Sequence, residues 1–593
     1  MGDIFGIGLT ALNAASIQLS TTSQNISNAN TPGYTRQSVT QSELLPQATG
    51  NGFLGRGVDV TQIYRNYNKY LSDQVQTAQA SNSYADAQLT QLSQIDNMMA
   101  NNAVGLTPSM QQFFSSLQTM TQDPSSIPSR QNVISTGQSM VAQFQSMNAS
   151  LTQIQQGTNT QITSTVTEIN DLAKTIAGLN QQIMAMNNGT NNQPNDLLDQ
   201  RDQAMNQLNQ LVGATYVQET DGSYEVFIGN GQTLVQGSNT MGLATQNNAT
   251  NPENVDIVQP NGNGTNTILP DSFLTGGALG GLLNFRDSTL SQTQKALGNI
   301  AIDFTTSMNY QQAQGLDLNG NAGTPMFSDL TGFASDPQNA IASMSMLMSD
   351  PTTVAAASDM TAGAVTPASS NVVVTSVSPT LPGNYGWTSP TNPPLAANHP
   401  SQGFTNMVIT ATSSTSISAT INGGPGAGTY NVVADPNRQN GYKLVTNASP
   451  AVDVGVAFSV SGQLQAGMSF TITPNTAATM GTGDNSNLLQ MSALQTKSVV
   501  DDTRNGTTSG LQSFQNAYDT ATSLVGNNTS AVKQASSAAA TNLQQTTLAL
   551  SNADGVNLDN EAANLIKYQQ AYQAASKVIS IAQTLFQGIL QLN

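Results

Sequence analysis

The sequence predicts an α+β multidomain fold: long terminal coiled-coil helices, a helical middle domain and an inserted all-β outer domain. Three observations predict it. Apolar residues recur with a 3-4 spacing at both ends of the chain, the same spacing returns in several internal segments, and residues 345–480 consist of short alternating runs. The 593 residues are enough to bury several hydrophobic cores.

The two ends of the chain carry the same heptad pattern. Near the start the spacing is 3-4-3-4-3, over Leu9, Leu12, Ser16, Leu19, Ser23 and Ile26. Near the end it continues without a break over Leu565, Tyr568, Tyr572, Ala575, Ile579, Ala582, Phe586 and Ile589. Asn557 is a candidate N-cap of the last helix. Burying the large apolar side chains is worth about 1.5–3 kcal/mol each, which does not offset the ordering of a lone helix. Both ends therefore need helical partners.

The interior alternates between helical and strand patterns. Segments 84–100, 109–121, 130–160 and 487–550 have helical periodicity, and residues 214–236 alternate around an Asp-Gly turn as a β-hairpin does.

The segment from 345 to 480 has a different character. Seven short β-type runs are separated by Pro, Gly and Asn clusters, and a helical pattern resumes at about 487. We expect a nested layout of three domains. These are 1–35 with 556–593, then 36–344 with 481–555, and finally 345–480 as the β-rich insertion.

The composition excludes several classes of function. A formal net charge of −18 argues against nucleic acid as a partner. The absence of cysteine excludes disulfides and thiolate metal sites. No signal peptide is recognisable at the start, and no continuous apolar run approaches the roughly 18 residues that span a bilayer. We expect neither membrane insertion nor a cofactor.

Catalytic motifs are poorly represented. His399 is the only histidine and lies in a Pro-rich loop, so neither a histidine–carboxylate pair nor a zinc motif can be built in the usual way. The stretch from Asp317 to Asn321 lacks the terminal Glu and the ligand spacing of a calcium loop, and we expect a turn there. The sequence predicts a protein without metal sites that is not an enzyme.

Residues 25–37, NISNANTPGYTRQ, form a turn motif directly after the first heptad stripe. Its asparagines can end a helix, Thr-Pro-Gly turns the chain, and the residues that follow lead into extended structure. The positions concerned are Asn28, Asn30, Thr31, Gly33, Tyr34 and Arg36.

This turn motif resembles the signature of the flagellar rod, hook and hook-associated protein family, and residues 555–588 resemble its C-terminal helix. Segments 195–202 and 282–287 resemble internal segments of the hook-associated members. The likeness is dense over about 1–310 and 485–593 and fades over 345–480, where the family varies.

The resemblance implies a structural component of the hook–filament junction, exported unfolded by the type III apparatus and localised outside the cell. The terminal helices would pair and pack against copies of the chain in a ring, with hook protein and hook-associated protein 3 as further partners. An export chaperone would bind the C-terminal helix. Two alternatives remain at this stage, a secreted adhesin or effector that binds ligands through the β domain, and an enzyme whose activity lies in that insertion.

Overall fold

The chain folds into ten α-helices and 23 strands over the part that the structure, a computed structural model, describes. That part comprises residues 2–49, 52–100, 105–186, 193–261, 264–368, 370–379, 404–424, 426–435, 440–449, 451–501 and 511–590. The helices are α1 Gly2–Ser27, α2 Lys69–Met99, α3 Leu106–Met120, α4 Ile127–Met186, α5 Asn195–Leu211, α6 Gly277–Phe285, α7 Ser291–Ala313, α8 Ser486–Ala493, α9 Phe514–Asp554 and α10 Leu558–Leu590.

The strands form small antiparallel sheets and one large one. In the first half they are β1 Gln37–Glu43, β2 Gln47–Thr49, β3 Gly52–Leu54, β4 Val58–Arg65, β5 Ala214–Gln218, β6 Tyr224–Ile228, β7 Gln232–Gln236, β8 Asn239–Thr240, β9 Ala244–Asn247, β10 Val255–Pro260 and β11 Asn266–Leu269. In the second half they are β12 Gly315–Leu316, β13 Ala357–Ser358, β14 Met360–Ala362, β15 Val374–Pro379, β16 Asn406–Ala411, β17 Ile417–Asn422, β18 Gly428–Ala434, β19 Gly441–Val445, β20 Asp453–Val460, β21 Ser469–Pro474, β22 Val500–Asp501 and β23 Leu511–Gln512.

The fold divides into two compact units. Unit 1 comprises Met1–Gln91, Gln155–Arg286 and Thr529–Asn593, and unit 2 comprises Leu92–Ile154 and Asp287–Asn528. In unit 1 the apolar stripes of α4 and α5 pack with the sheets β5–β8 and β9–β11 around one core. The sheet β5–β8 begins with the segment predicted as a hairpin at 214–236, whose three strands pair in sequence order.

The helical part of unit 2 is built around an aromatic cluster. Phe304 of α7 lies edge-to-face with Phe113, Phe327 and Phe514, at centroid distances of 5.7, 5.2 and 5.3 Å. Edge-to-face pairs at these distances are stabilising beyond the area that they bury. The cluster joins segments that are hundreds of residues apart in the sequence.

The β insertion of unit 2 is an eight-stranded antiparallel sheet in the order β14-β21-β16-β17-β18-β19-β20-β15. Its edge strands β14 and β15 lie against each other, so the sheet curls towards a barrel. Alternate residues point into the core, as Met407, Ile409 and Ala411 of β16 do. Met360 pairs with Pro474, so the chain enters and leaves this domain at adjacent positions.

The helical and β character predicted from the sequence matches this fold, and the seven predicted β-type runs correspond to β15–β21. One helical prediction is wrong in part, since 487–550 is not continuous. Helix α8 ends at Ala493 and α9 begins at Phe514, with the pair β22–β23 between them. At Asp317 the predicted turn is present, because its side chain accepts hydrogen bonds from the backbone N–H groups of Asn319 and Asn321. His399 lies outside the described residues.

Candidate assembly surface of the terminal helices

Helices α1 and α10 form an antiparallel pair within unit 1. At one end Asn25 donates a hydrogen bond to Glu561 over 3.2 Å, and towards the other end Gly8 faces Ile579. Asn557 caps α10 as predicted, because its Oδ1 accepts from the backbone N–H groups of residues 559 and 560 at 3.1 Å. Each terminal helix is therefore one partner of the other.

Small residues make the close approach of the two helices possible. A Cβ placed on Gly8 would lie 2.9 Å from Cγ1 of Ile579, so a side chain there would push the helices apart. The buried apolar residues of the pair are also small, namely Ala14, Ala15, Ala575 and Ala582. The pair thus buries little apolar area per residue.

The hairpin of β1 and β4 covers a second side of α1. Gly57, just before β4, approaches Thr10 so closely that a Cβ would overlap the threonine side chain. Gly57 has φ +101, a conformation that favours glycine for a second reason. Beyond this contact the hairpin tip exposes three large apolar side chains, those of Leu45, Phe53 and Leu54.

The third side of α1 carries the heptad stripe predicted from the sequence. Leu9 is half exposed, Leu12, Leu19 and Ile26 are only partly buried, and Ser16 and Ser23 are exposed. The residues that α1 does bury follow a stripe one position earlier, which contains Gly8, Ala15, Thr22 and Asn25. The large apolar residues of α1 therefore lie beside the intramolecular contact.

The predicted stripe of α10 faces α1 along most of its length. Leu565, Tyr568 and Ile579 are half-buried, whereas Tyr572 is more exposed and Phe586 is 57% exposed. The side chain of Ile589 lies outside the described part of the structure.

A second apolar stripe on α10 was missed by the sequence reasoning. Ile566, Val578, Ile581 and Leu585 are 57%, 37%, 50% and 50% exposed, and among them Val578 lies at the edge of the α1 contact, close to Gly8. Val578, Ile581 and Leu585 repeat the 3-4 spacing, and this spacing could have predicted the second stripe from the sequence. A helix that is apolar on two faces requires partners on both. Only one face is covered within this chain, over the residues that the structure describes.

The turn motif links the pair to the body of unit 1. Backbone hydrogen bonds from Thr31 to Asn28 and from Tyr34 to Thr31 close the turn, and Gly33 has φ +81. Asn30 at the turn is exposed, and the backbone N–H of Arg36 donates to the carbonyl of residue 554 at the end of α9. The predicted turn residues are therefore brought together in one local structure.

Two buried polar contacts fix the two sides of this turn. The Tyr34 hydroxyl donates to Oδ1 of Asn25 at 2.8 Å, and burial raises the pKa of Tyr34, as do the nearby carboxylates. On the other side the backbone N–H of Thr35 donates to Asp199 of α5 at 3.0 Å. Asp199 lies in segment 195–202, one of the internal segments singled out in the sequence.

Asp199, Asp202 and Arg65 form an ion-pair clamp. Arg65 at the end of β4 lies 2.9 Å from Asp199 and 2.6 Å from Asp202, and all three side chains are nearly buried. Burial alone would lower the pKa of Arg65, but the carboxylates of Asp202 and Asp199 hold it above its ordinary value. The Tyr224 hydroxyl also donates to Asp202 at 3.0 Å. The clamp joins the hairpin, α5 and β6.

Among the helices that the structure describes, α1 alone is long and apolar enough to cross a membrane, over Ile4–Ser27, by length and composition. This goes beyond the sequence expectation, which considered only uninterrupted apolar runs. The buried hydrogen bond of Asn25 to Glu561 fits a helix packed against protein instead. Among the residues that the structure describes, no group of three or more His, Asp or Glu could hold a metal ion.

Three protein-family models match the chain, and together they cover both ends and the helical interior. The flagellar hook-associated protein FlgK helical domain matches residues 92–327. The flagella basal body rod protein model matches 5–35, and the C-terminal model of the flagellar basal body rod FlgEFG proteins matches 549–592. The last two matches lie on α1 with the turn and on α10.

Full-length relatives and a solved structure agree with these matches. The chain is 32% identical to flagellar hook-associated protein 1 of Salmonella typhimurium over 594 residues, and 30% identical to that of Escherichia coli K12 over 602 residues. Both alignments cover 100% of each protein. The flagellar hook junction protein FlgK from Burkholderia pseudomallei is similar at a TM-score of 0.62 and 26% identity, covering 80% of this chain and 99% of that one.

Proposed function

Because the chain belongs to the flagellar hook-associated protein 1 family, we propose that it joins hook to filament in the bacterial flagellum by packing its terminal helices against neighbouring subunits. The observation that carries this mechanism is the uncovered apolar surface of the α1–α10 pair. Leu9 on α1 and the Ile566–Leu585 stripe on α10 are exposed in the single chain. Large apolar patches of this kind mark interaction sites.

The geometry of the pair favours lateral assembly. Helix α1 is covered by α10 on one side and by the hairpin on another, and the extensive contact of α10, within the described residues, is with α1. The open faces lie on different helices, so one subunit can offer different surfaces to different neighbours. A closed ring of copies needs such unlike surfaces, because head-to-tail contacts that close by rotation form a ring.

Family membership supports assembly with other flagellar hook components, and we propose the following partners. Copies of the same chain would occupy the same ring, with hook protein below and hook-associated protein 3 above. The middle segments 36–344 and 481–555 would contribute the layer outside the terminal helices, and the β insertion would face outward. The chain would reach this place after type III export, with a chaperone on the exposed face of α10 before assembly.

A structural role accounts for the chain without catalysis. The relatives are named as flagellar hook-associated proteins, and the comparisons give no support to the alternative of an adhesin or effector. The charge distribution agrees with a packing role, since only 8% of residues are charged. Polar but uncharged surfaces can pack against copies of themselves without repulsion between like charges.

The decisive experiment compares two substitutions in the same turn of α10. Ile581→Asp places a carboxylate on the outer apolar stripe, while Ser580→Asp places one on the neighbouring polar face, and both residues are exposed in the monomer. A carboxylate that loses water in a packed interface costs several kcal/mol, so only the first change should block assembly.

The readout is filament assembly in cells that lack the native gene and carry each variant. We expect hooks without filaments for Ile581→Asp, normal filaments for Ser580→Asp, and equal export of both proteins into the medium. Normal filaments with Ile581→Asp would contradict the proposal.

A further inference from the structure

Four polar residues meet at one end of the terminal helix pair. Asn25 of α1 donates to Glu561 of α10 at 3.2 Å and to the carbonyl of Gln37 at 2.9 Å. Its Oδ1 accepts from the Gln37 N–H at 3.0 Å and from the Tyr34 hydroxyl at 2.8 Å. Asn25 and Glu561 are 1% and 3% exposed. One asparagine side chain thus ties α1, the turn and α10 together.

This end of the pair is where specific contacts are concentrated. Further along, the pair is held by Gly8 and alanines, and the large apolar side chains near the free ends, such as Phe5 and Phe586, are exposed. Buried polar groups are costly unless they are satisfied, so they favour the one arrangement in which all of them are. The pair is therefore anchored at its base and weakly held towards its free end.

The base is itself fixed to unit 1. The Thr35 N–H is bound by Asp199, and the side chain of Asp554 accepts from the Asn68 N–H at 2.8 Å. Helix α10 begins four residues after Asp554, and the cap at Asn557 sets its first turn. Glu561 follows directly after residue 560, whose N–H donates to Asn557, so it lies in the first turn of α10, which sets the orientation of the helix.

We infer that Asn25, Tyr34, Gln37 and Glu561 form a latch that nucleates pairing of the terminal helices from their base. Starting a helix is its unfavourable step, and a fixed first turn removes much of that cost. Pairing then extends from the latch towards the free ends. In the proposed function, on which this last step rests, the free ends are completed by a neighbouring subunit. These residues position the helices and are not themselves the packing surface.

Hydrogen exchange measured by mass spectrometry on the isolated full-length monomer tests the latch without requiring assembly. In the parent protein, protection should fall along α10 from Leu558 towards its C-terminal end. Asn25→Ala should speed exchange over 558–575 by about ten-fold or more, the effect of leaving buried hydrogen-bonding groups unpaired. Exchange in α5, the internal reference, should stay unchanged.

Matched variants separate the latch from a general loss of structure. Glu561→Ala should reproduce the effect of Asn25→Ala, whereas Glu561→Gln keeps an acceptor for Asn25 and should restore protection. Gln24→Ala, at an exposed position next to Asn25, and Asp559→Asn, at an exposed position in the same turn as Glu561, should exchange like the parent. Unchanged exchange over 558–575 in Asn25→Ala, or no difference between the Gln and Ala variants, would overturn the latch.

The failure of the latch and the failure of the proposed function give different results. Ile581→Asp lies far from the latch along α10, so it should leave exchange near Glu561 unchanged while it prevents filament growth. Normal filaments in that variant would contradict the packing surface and leave the exchange evidence for the latch in place. Equal exchange in the parent protein and in Asn25→Ala would contradict the latch and leave the proposed function unaffected.

Discussion

Replacing Arg65 by Met should destabilise the contacts that hold the turn motif, and with it the terminal helices, against the rest of unit 1. The change removes the only cation within 3 Å of Asp199 and Asp202 among the described residues and leaves two nearly buried carboxylates facing each other. Removing one partner of a buried ion pair costs about 3–5 kcal/mol. Asp199 also holds the Thr35 N–H, so the cost should fall on the turn motif.

Local hydrogen exchange is a suitable assay, because it reads the opening of one region in a protein with more than one unit. A cost of about 3–5 kcal/mol corresponds to exchange around Thr35 that is roughly a hundred-fold to a few thousand-fold faster. The effect should shrink as the pH falls, since protonation neutralises the unpaired carboxylates. Arg56→Met, an exposed arginine in the same chain segment, is the control and should change exchange little.

A compensated variant sharpens the test of the clamp. Combining Arg65→Met with Asp199→Asn and Asp202→Asn removes the buried charges together, and an asparagine oxygen can still accept from the Thr35 N–H. Much of the lost protection should return. Exchange around Thr35 that stays within about two-fold of the parent in Arg65→Met alone would refute the reasoning.

Three further predictions concern the body of the molecule. Gly298→Ala should destabilise unit 2 by about 1–3 kcal/mol, because the added Cβ would overlap the carbonyl of Pro337. Gly157→Ala, at an exposed helical position with open space around it, should instead stabilise the protein by up to about 1 kcal/mol. Thermal unfolding measures both effects, and equal effects of the two substitutions would be inconsistent with the packing. Burial raises the pKa of Asp359 to about 8, above an unfolded value of about 4, so the stability that its protonated form contributes is lost as the pH rises through 8. Asp359→Asn should therefore raise the melting temperature at pH 9 and leave it unchanged towards pH 4, and the opposite trend would show that the carboxyl is not buried as described. Deleting 361–474 with a short Gly/Ser bridge should preserve export and filament assembly, because the ends of the insertion are adjacent; an exported deletion protein that never joins the hook would assign junction contacts to the β domain.

Local patterns in the sequence were enough to predict most of the long helices, the β runs and the Asn557 cap. They depend on the spacing of nearby residues, which one sequence contains. The face of α1 that meets α10 was not predictable in this way, because Gly8 and Ala15 make the contact and small residues do not stand out in a hydrophobic pattern. The break between α8 and α9 was missed for a related reason. The sequence of two short strands in a polar region has a pattern similar to that of the exposed face of a helix.

Contacts between distant parts of the chain were out of reach of the sequence reasoning. Asn25 and Glu561 are 536 residues apart, and Thr35 and Asp199 are 164 residues apart. Both pairs lie in segments that were singled out for their resemblance to the flagellar axial family. The sequence therefore indicated which segments matter, and the fold was needed to show that they touch.

Thiol protection at position 581 tests the central claim most directly, since the chain contains no cysteine and a single introduced one can be followed alone. Ile581→Cys and Ser414→Cys, the latter exposed in the β domain, would each be treated with a maleimide as free monomer and in purified hook–filament complexes. We expect both thiols to react in the monomer, and only the thiol at 581 to become protected in the complex. Equal reactivity at 581 in the two states would contradict assembly through the outer face of α10.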